Sequence, residues 1–260
     1  MKIGCCAVTE DLLLVQGQGY DYIELAASQL MTLTEKDFQA FLEQYRETGF
    51  PCRGFNSLCG AELPLVGPKQ DLDALRTYMK ALCRRGAALG IRNIGVGAPG
   101  ARNPPPDWPE ERSDRQMCEF LQMACETAAP HGIDILLEAL NPAVCTYLCS
   151  SSHAAGLVRK LGCRNLGLVL DYYHVRLSGE NPAELGSVMP LVRHIHVSGG
   201  EAGEARSFLT GTKGREELVK LHALAAEQGY TGNTVSVEAD RAFLERDGEP
   251  CEKLLRMAWT

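Results

Sequence analysis

The sequence predicts an α/β fold, a (β/α)8 TIM barrel that spans residues 1–260 as one domain. Eight apolar runs of strand length recur along the chain, and helix-compatible segments separate most of them. Glycines stand where a helix would give way to the next strand. That alternation implies parallel strands joined by helical crossovers. A doubly wound open sheet is the competing arrangement, but no nucleotide loop supports it. "GVGAPG" at 95–100 lacks the Walker lysine and serine or threonine, and also the dinucleotide spacing.

The elements follow in order. "KIGCCA" (2–7) is the first strand, and a short connection leads to "YDYIELA" (20–26). The segment 34–48 reads as a helix, with Thr34 placed to cap it and Phe38, Phe41, Leu42 and Tyr45 on one side. "CRGFNSL" (52–58) is the third strand, followed by a helix over 70–89 and then "RNIGVGA" (92–98). The loop 97–110, "GAPGARNPPPDWPE", is stiffened by Pro104 to Pro106 and leaves the active face of a barrel. Trp108 there is expected either as an apolar wall over a ligand or as packing on the rim. A helix over 111–129 precedes "IDILLEA" (133–139), and one over 151–161 precedes "LGLVLDY" (166–172). A short connection at 179–190 leads to "VRHIHVS" (192–198), and a helix over 215–228 to "TVSVEAD" (234–240). Gly49, Gly90, Gly132, Gly162 and Gly229 end helices at points where positive φ is useful.

Bulk properties narrow the function. A formal charge of −7 disfavours nonspecific binding to nucleic acid or anionic membranes. No run has the length of a membrane span, and the start lacks a cationic, apolar leader. Eleven cysteines form an odd set scattered through apolar and helical runs (Cys83, Cys118, Cys125), which reads as buried thiols in a reducing compartment. A cytoplasmic protein is expected.

Four metal-capable side chains lie at or near the ends of the last four strands: Glu138, Asp171, His196 and Glu238. Their separations of 33, 25 and 42 residues are compatible with one strand–helix unit per step. Taken singly, each has an ordinary alternative as an ion pair, a helix cap or a core histidine. Together they are three carboxylates and one imidazole inside apolar strands, where unpaired charge is costly. A divalent ion relieves that repulsion; Mn²⁺ is the first expectation, with Mg²⁺, Co²⁺ or Zn²⁺ as alternatives. Glu24 ends the second strand on the same face and is expected to meet a substrate hydroxyl. Arg206, Lys213 and Arg215 in "RSFLTGTKGR" either bind an anionic group or are solvent-facing charge.

The pieces "LLEALNP" (136–142), "LVLDYYHVRLSGENP" (168–182), "HIHVSG" (194–199) and "GYTGNTVSVEAD" (229–240) resemble the xylose-isomerase-like barrel superfamily. The resemblance favours its sugar phosphate isomerase/epimerase branch, which includes ketose 3-epimerases, hydroxypyruvate isomerases and inosose dehydratases. It extends over nearly the whole chain and is sharpest from 134 to 240. It implies a metal held by Glu138, Asp171, His196 and Glu238, with His174 meeting a substrate oxygen. Arg206 is the nearest counterpart of the branch's strand-seven arginine, at a different offset. Val144 stands where ketose epimerases tend to carry an acidic contact. A related branch of barrel endonucleases needs further histidines for three zinc ions, and this chain lacks them. A homo-oligomer is compatible with the resemblance.

The expected activity is isomerisation or epimerisation of a small sugar, polyol-derived or other hydroxy-carbonyl compound through an enediolate. Glu138 and Glu238 would remove and return the proton, with the metal polarising the carbonyl. The same equipment serves an inosose-dehydratase-like lyase. A non-catalytic sugar-binding barrel is the alternative outside enzymes.

Overall fold

A computed structural model describes residues 1–259; Thr260, the last residue of the expected domain, lies outside the described residues. Eight parallel strands close into a barrel in chain order. They are β1 (Lys2–Ala7), β2 (Tyr22–Ala26), β3 (Cys52–Asn56), β4 (Asn93–Val96), β5 (Asp134–Glu138), β6 (Leu166–Asp171), β7 (Val192–Val197) and β8 (Thr234–Val237). Pairing of β8 back onto β1, with Ile3 opposite Val235, removes the open-sheet alternative. The strands read as apolar runs because both of their faces are covered, one by helices and one by the barrel interior. In β6 all six residues are buried.

Around the barrel lie α1 (Leu12–Gly17), α2 (Ala27–Leu30), α3 (Glu35–Thr48), α4 (Leu72–Leu89), α5 (Glu110–Ala128), α6 (Ser151–Leu161), α7 (Tyr172–Leu177), α8 (Gly211–Glu227) and α9 (Leu244–Ala258). Thr34 does cap α3, accepting from the Asp37 amide at 3.2 Å. Gly49 and Gly90, just past α3 and α4, adopt φ of 62° and 77°. α8 begins four residues before the expected 215.

α9 was not anticipated, because Gly248 and Pro250 interrupt its pattern. Its buried Leu244, Cys251 and Leu255 nonetheless share one face. Gly248 is required by close approach, since a Cβ there would overlap the Gln18 amide. Gln18 Nε2 donates to the Leu244 carbonyl and Tyr20 Oη to that of Gly248, both at 2.8 Å. These bonds hold α9 over β1. Among the described residues, no helix is long and apolar enough to cross a membrane.

Side-chain alternation organises the interior. Tyr22 and Glu24 lie two apart on β2, as do His194 and His196 on β7, so each pair shares a face. Contacts between β2 and β7, which are not neighbours, show that this face is the inside. Tyr22 fills the barrel beside Gly4, where an added Cβ would overlap the tyrosine ring and lie 2.7 Å from Ser236 Oγ.

Gly4→Ala should therefore destabilise the protein by about 1–3 kcal/mol, as expected of overpacking. Gly17→Ala, at the end of α1 with open space around the new methyl, should be neutral or stabilising by up to about 1 kcal/mol. Urea unfolding of both variants checks the contrast, and equal effects would contradict the packing account.

Candidate active site

The carboxyl ends of β5 to β8 bring Glu138, Asp171, His196 and Glu238 together. One ligand-capable atom from each lies within 4.8 Å of the others. Local structure sets each side chain. Asp171 ends β6 and uses Oδ1 to accept from the Tyr173 amide at 2.9 Å, capping α7. Its Oδ2 is left for the cluster. Glu138 ends β5, whose last carbonyl accepts from Nη1 of the wholly buried Arg102 at 2.9 Å. Gly97 makes room for it, since a Cβ at that position would lie 2.5 Å from Glu138 Oε2. Glu238 follows β8, and its Oε1 accepts from Asn56 Nδ2 at 2.9 Å.

His174, one turn into α7, places Nε2 3.8 Å from both Glu138 Oε1 and Asp171 Oδ2. The Asn141 backbone N–H donates to its Nδ1 at 3.1 Å. A backbone amide can only donate, so Nδ1 is the acceptor and the neutral ring carries its proton on Nε2, toward the cluster. Burial lowers the His174 pKa against the pull of Asp171, which keeps the ring neutral.

Arg206 lies among the acidic groups. Its Nη2 donates to Asp171 Oδ2 at 2.6 Å, Nη1 to Glu238 Oε2 at 3.0 Å and Nε to Ser198 Oγ at 2.9 Å. The guanidinium also sits over the Tyr173 ring, 4.7 Å from its centre. Burial opposes charge on Asp171 and Glu238, but Arg206 outweighs it and lowers both pKa values. Glu138 has no such partner. Burial first, then repulsion from Glu238 and Asp171, push its pKa up to about 8.

A cavity of about 270 Å³ opens over these groups, lined by Glu138, His174, Arg206 and Glu238 on one side and by Ala98, Pro99, Leu140 and Val144 elsewhere. Ser57 and Ala98 at its edge are non-glycine residues with φ of 47° and 51°, so strained backbone gathers there.

Three residues expected at this site lie elsewhere. Glu24 is not on the rim but buried behind His196, at 2 % exposure. The β2 side-chain parity that carries it inward also places it beneath the cluster. Trp108 does not line the cavity; it packs against Arg112, whose guanidinium carbon is 5.0 Å from the ring centre. Lys213 is exposed, pairs with Glu201 at 3.2 Å, and lines a neighbouring cavity of about 260 Å³. Asn56, Arg102 and Asn141 went unread in the sequence, because amide side chains and a loop arginine carry no spacing signal.

The donor set suits a divalent cation, and the structure supplies a test of fit. Buried Glu138 Oε1 and His196 Nδ1 have no hydrogen-bond partner among the described residues. His196 Nδ1 lies 3.2 Å from Glu238 Oε2, on the cluster side of the ring. Such orphaned acceptors beside crowded carboxylates are what a cation would satisfy.

The description "xylose isomerase-like TIM barrel" matches residues 12–255. An inosose isomerase of Halalkalibacterium halodurans is 29% identical over 134 residues, which are 49% of this chain and 46% of that protein. The chain spans about half the length of the curated relatives it matches. The crystal structure of D-psicose 3-epimerase with D-tagatose from Clostridium cellulolyticum H10 superposes with a TM-score of 0.80. It is 18% identical, and the alignment covers 100% of this chain and 99% of that one. The IOLI protein with a bound zinc atom superposes with a TM-score of 0.74 at 20% identity, covering 99% of this chain and 96% of that one. With residues 12–255 matched and eight strands closed into a barrel, the chain belongs to the xylose isomerase-like TIM barrel family.

Proposed function

We propose that the protein is a divalent-metal-dependent isomerase or epimerase of a small, uncharged hydroxy-carbonyl compound, a sugar or polyol derivative. The observation that carries this reading is the convergence of Glu138, Asp171, His196 and Glu238 within 4.8 Å of one another at a cavity, where without a metal Glu138 is displaced upward and Glu238 downward. Groups separated in this way divide acid and base roles at one pH. The names of the relatives, an inosose isomerase and a D-psicose 3-epimerase, support the same reaction class.

Glu138, Asp171, His196 and Glu238 would hold a divalent cation, and the chemistry it would supply when bound is Lewis-acid polarisation of a carbonyl oxygen. Glu238, kept ionised by Arg206, accepts the proton from the carbon next to that carbonyl. Glu138, which holds a proton near neutral pH in the metal-free protein, would return one from its other side. The two project from β8 and β5, three strands apart, so they approach a bound carbon from different directions. Delivery to the opposite face inverts the centre; delivery to the adjacent carbon isomerises it. His174 donates its Nε2 proton to a substrate oxygen, and Arg206 fixes Asp171 and Glu238 in place.

The lining supports an uncharged substrate. Arg206 is its one cation among the described residues, and each of its three nitrogens already donates to a side chain of the site, Ser198, Glu238 or Asp171. Glu204 and Glu238 add negative charge to the lining, which disfavours a phosphate or carboxylate. The other basic groups, Lys213 and Arg176, face the adjoining cavity beside Glu201.

Incubation of the Mn²⁺-loaded protein with ketoses, aldoses and inososes in D₂O should give deuterium at the reacting carbon, read by NMR after removal of the metal. Glu138→Gln and Glu238→Gln should each lower exchange by about 10²-fold or more with Mn²⁺ still bound. Undiminished exchange in either variant would remove that residue from the proton path, and water loss from an inosose would assign a lyase instead.

A second expectation concerns pH. The Glu138 pKa of about 8 lies above its ordinary 4.5, so between these values the metal-free native state holds a proton that the unfolded chain has lost. Stability of the metal-free protein should therefore fall as pH rises through that window, and Glu138→Gln should flatten the slope. Urea unfolding of the metal-free protein between pH 5 and 8 reads the slope, and a slope unchanged in Glu138→Gln would contradict the assignment.

A further inference from the structure

His196 stands between two groups of donors. Its Nδ1 faces Glu238, and its Nε2 faces Glu24 Oε2 at 3.2 Å and Cys6 Sγ at 3.8 Å. One ligand-capable atom from each of Cys6, Glu24 and His196 also lies within 4.8 Å of the others, so the ring is shared by two candidate centres. An imidazole offers a lone pair to a cation only from the nitrogen that has no proton. Which centre is served depends on where that proton sits.

We infer that Glu24 is a positioning residue that holds the His196 proton on Nε2, and so directs the Nδ1 lone pair to the cavity cluster. This rests on the proposed metal role of that cluster. Glu24 is 2 % exposed, and among the described residues its carboxylate meets two imidazoles and a hydroxyl but no lysine or arginine. His194 Nε2 lies 2.6 Å from Glu24 Oε1, and the Ser236 hydroxyl donates to the same oxygen. His194 is itself tied through Nδ1 to Thr234 Oγ1 at 2.8 Å. The Ser236 hydroxyl also lies 2.9 Å from Tyr22 Oη, which donates to the Val235 carbonyl at 3.0 Å.

Glu24 Oε1 is thus engaged by His194 and Ser236, and Oε2 remains for His196. A carboxylate accepts and cannot donate, so the Nε2 position facing it carries the proton. A buried carboxylate behind a metal-binding histidine fixes ring orientation and raises ligand basicity, and loss of such a partner typically weakens metal binding 10–100-fold. The arrangement also accounts for a glutamate on β2 that has no path to the cavity. It further leaves Cys6 and Glu24 without the nitrogen lone pair a lower centre would need.

Zinc, which is diamagnetic, allows a direct test. In the zinc-loaded wild type, ¹H–¹⁵N NMR of the imidazoles should show a proton on His196 Nε2 and none on Nδ1. Calorimetry should show zinc affinity reduced 10–100-fold in Glu24→Met, which keeps the shape but removes the acceptor. Glu24→Gln, which retains one acceptor oxygen for two imidazoles, should fall between. A bare Nε2 in the wild type, meaning zinc held with Cys6, would overturn the inference, as would unchanged zinc affinity in folded Glu24→Met. If Glu24→Met does not fold, the wild-type spectrum still decides. Failure of the wild type to take up zinc or Mn²⁺ would overturn the functional reading itself, whereas uptake with the wrong ring nitrogen overturns only the role of Glu24.

Discussion

Like charge crowded into the mouth of a closed barrel is the constraint to which the rest of the site answers. Glu138, Asp171 and Glu238 converge within a few ångströms, largely out of water, and three ionised carboxylates there repel strongly. Arg206 answers part of this by bridging Asp171 and Glu238, and Glu138 answers another part by keeping a proton. One guanidinium and one divalent cation would together neutralise all three carboxylates. On the same charge count Arg206 and a cation would complement each other, and Arg206, the one cation lining the cavity among the described residues, is already bonded to Asp171 and Glu238.

The barrel beneath is built to hold those charges still. Parallel strands end on one face, so the register of β5 to β8 alone brings together residues up to a hundred positions apart in the chain. Glycines appear where the inside is overfull: Gly4 admits the Tyr22 ring and Gly97 admits the Glu138 carboxylate. A second tier, formed by Glu24, His194 and Ser236, backs His196 from below. The ends of the strands also lead into function-bearing turns. Asp171 caps α7 with one oxygen, which sets the position of His174 three residues later.

Much of this was legible in the sequence because it depends on periodic patterning. Apolar runs ending in Glu138, Asp171, His196 and Glu238 announced both the strands and the cluster, since a charge inside such a run demands a partner. Helix-ending glycines marked the joints, and Gly49 and Gly90 take the left-handed backbone that this role requires. What remained hidden depends on distance in three dimensions. Glu24 shows the same strand-end pattern as Glu138, yet its register carries it under His196 and away from the cavity. Trp108 sits on a connection whose path no period fixes, and Lys213 sits in the first turn of α8, which begins earlier than its apolar period. Arg206 was legible as a basic group near the site, but not as a bridge between two of its carboxylates. α9 was masked by Gly248 and Pro250, which look like helix breakers and instead serve a helix that must approach Gln18 closely.

The most direct test of the central claim is anomalous diffraction from crystals of the protein soaked in Mn²⁺. The account predicts one strong peak among Glu138, Asp171, His196 and Glu238, with His196 contributing Nδ1. Full occupancy elsewhere, or no peak at that shared centre while the four side chains keep their arrangement, would contradict it.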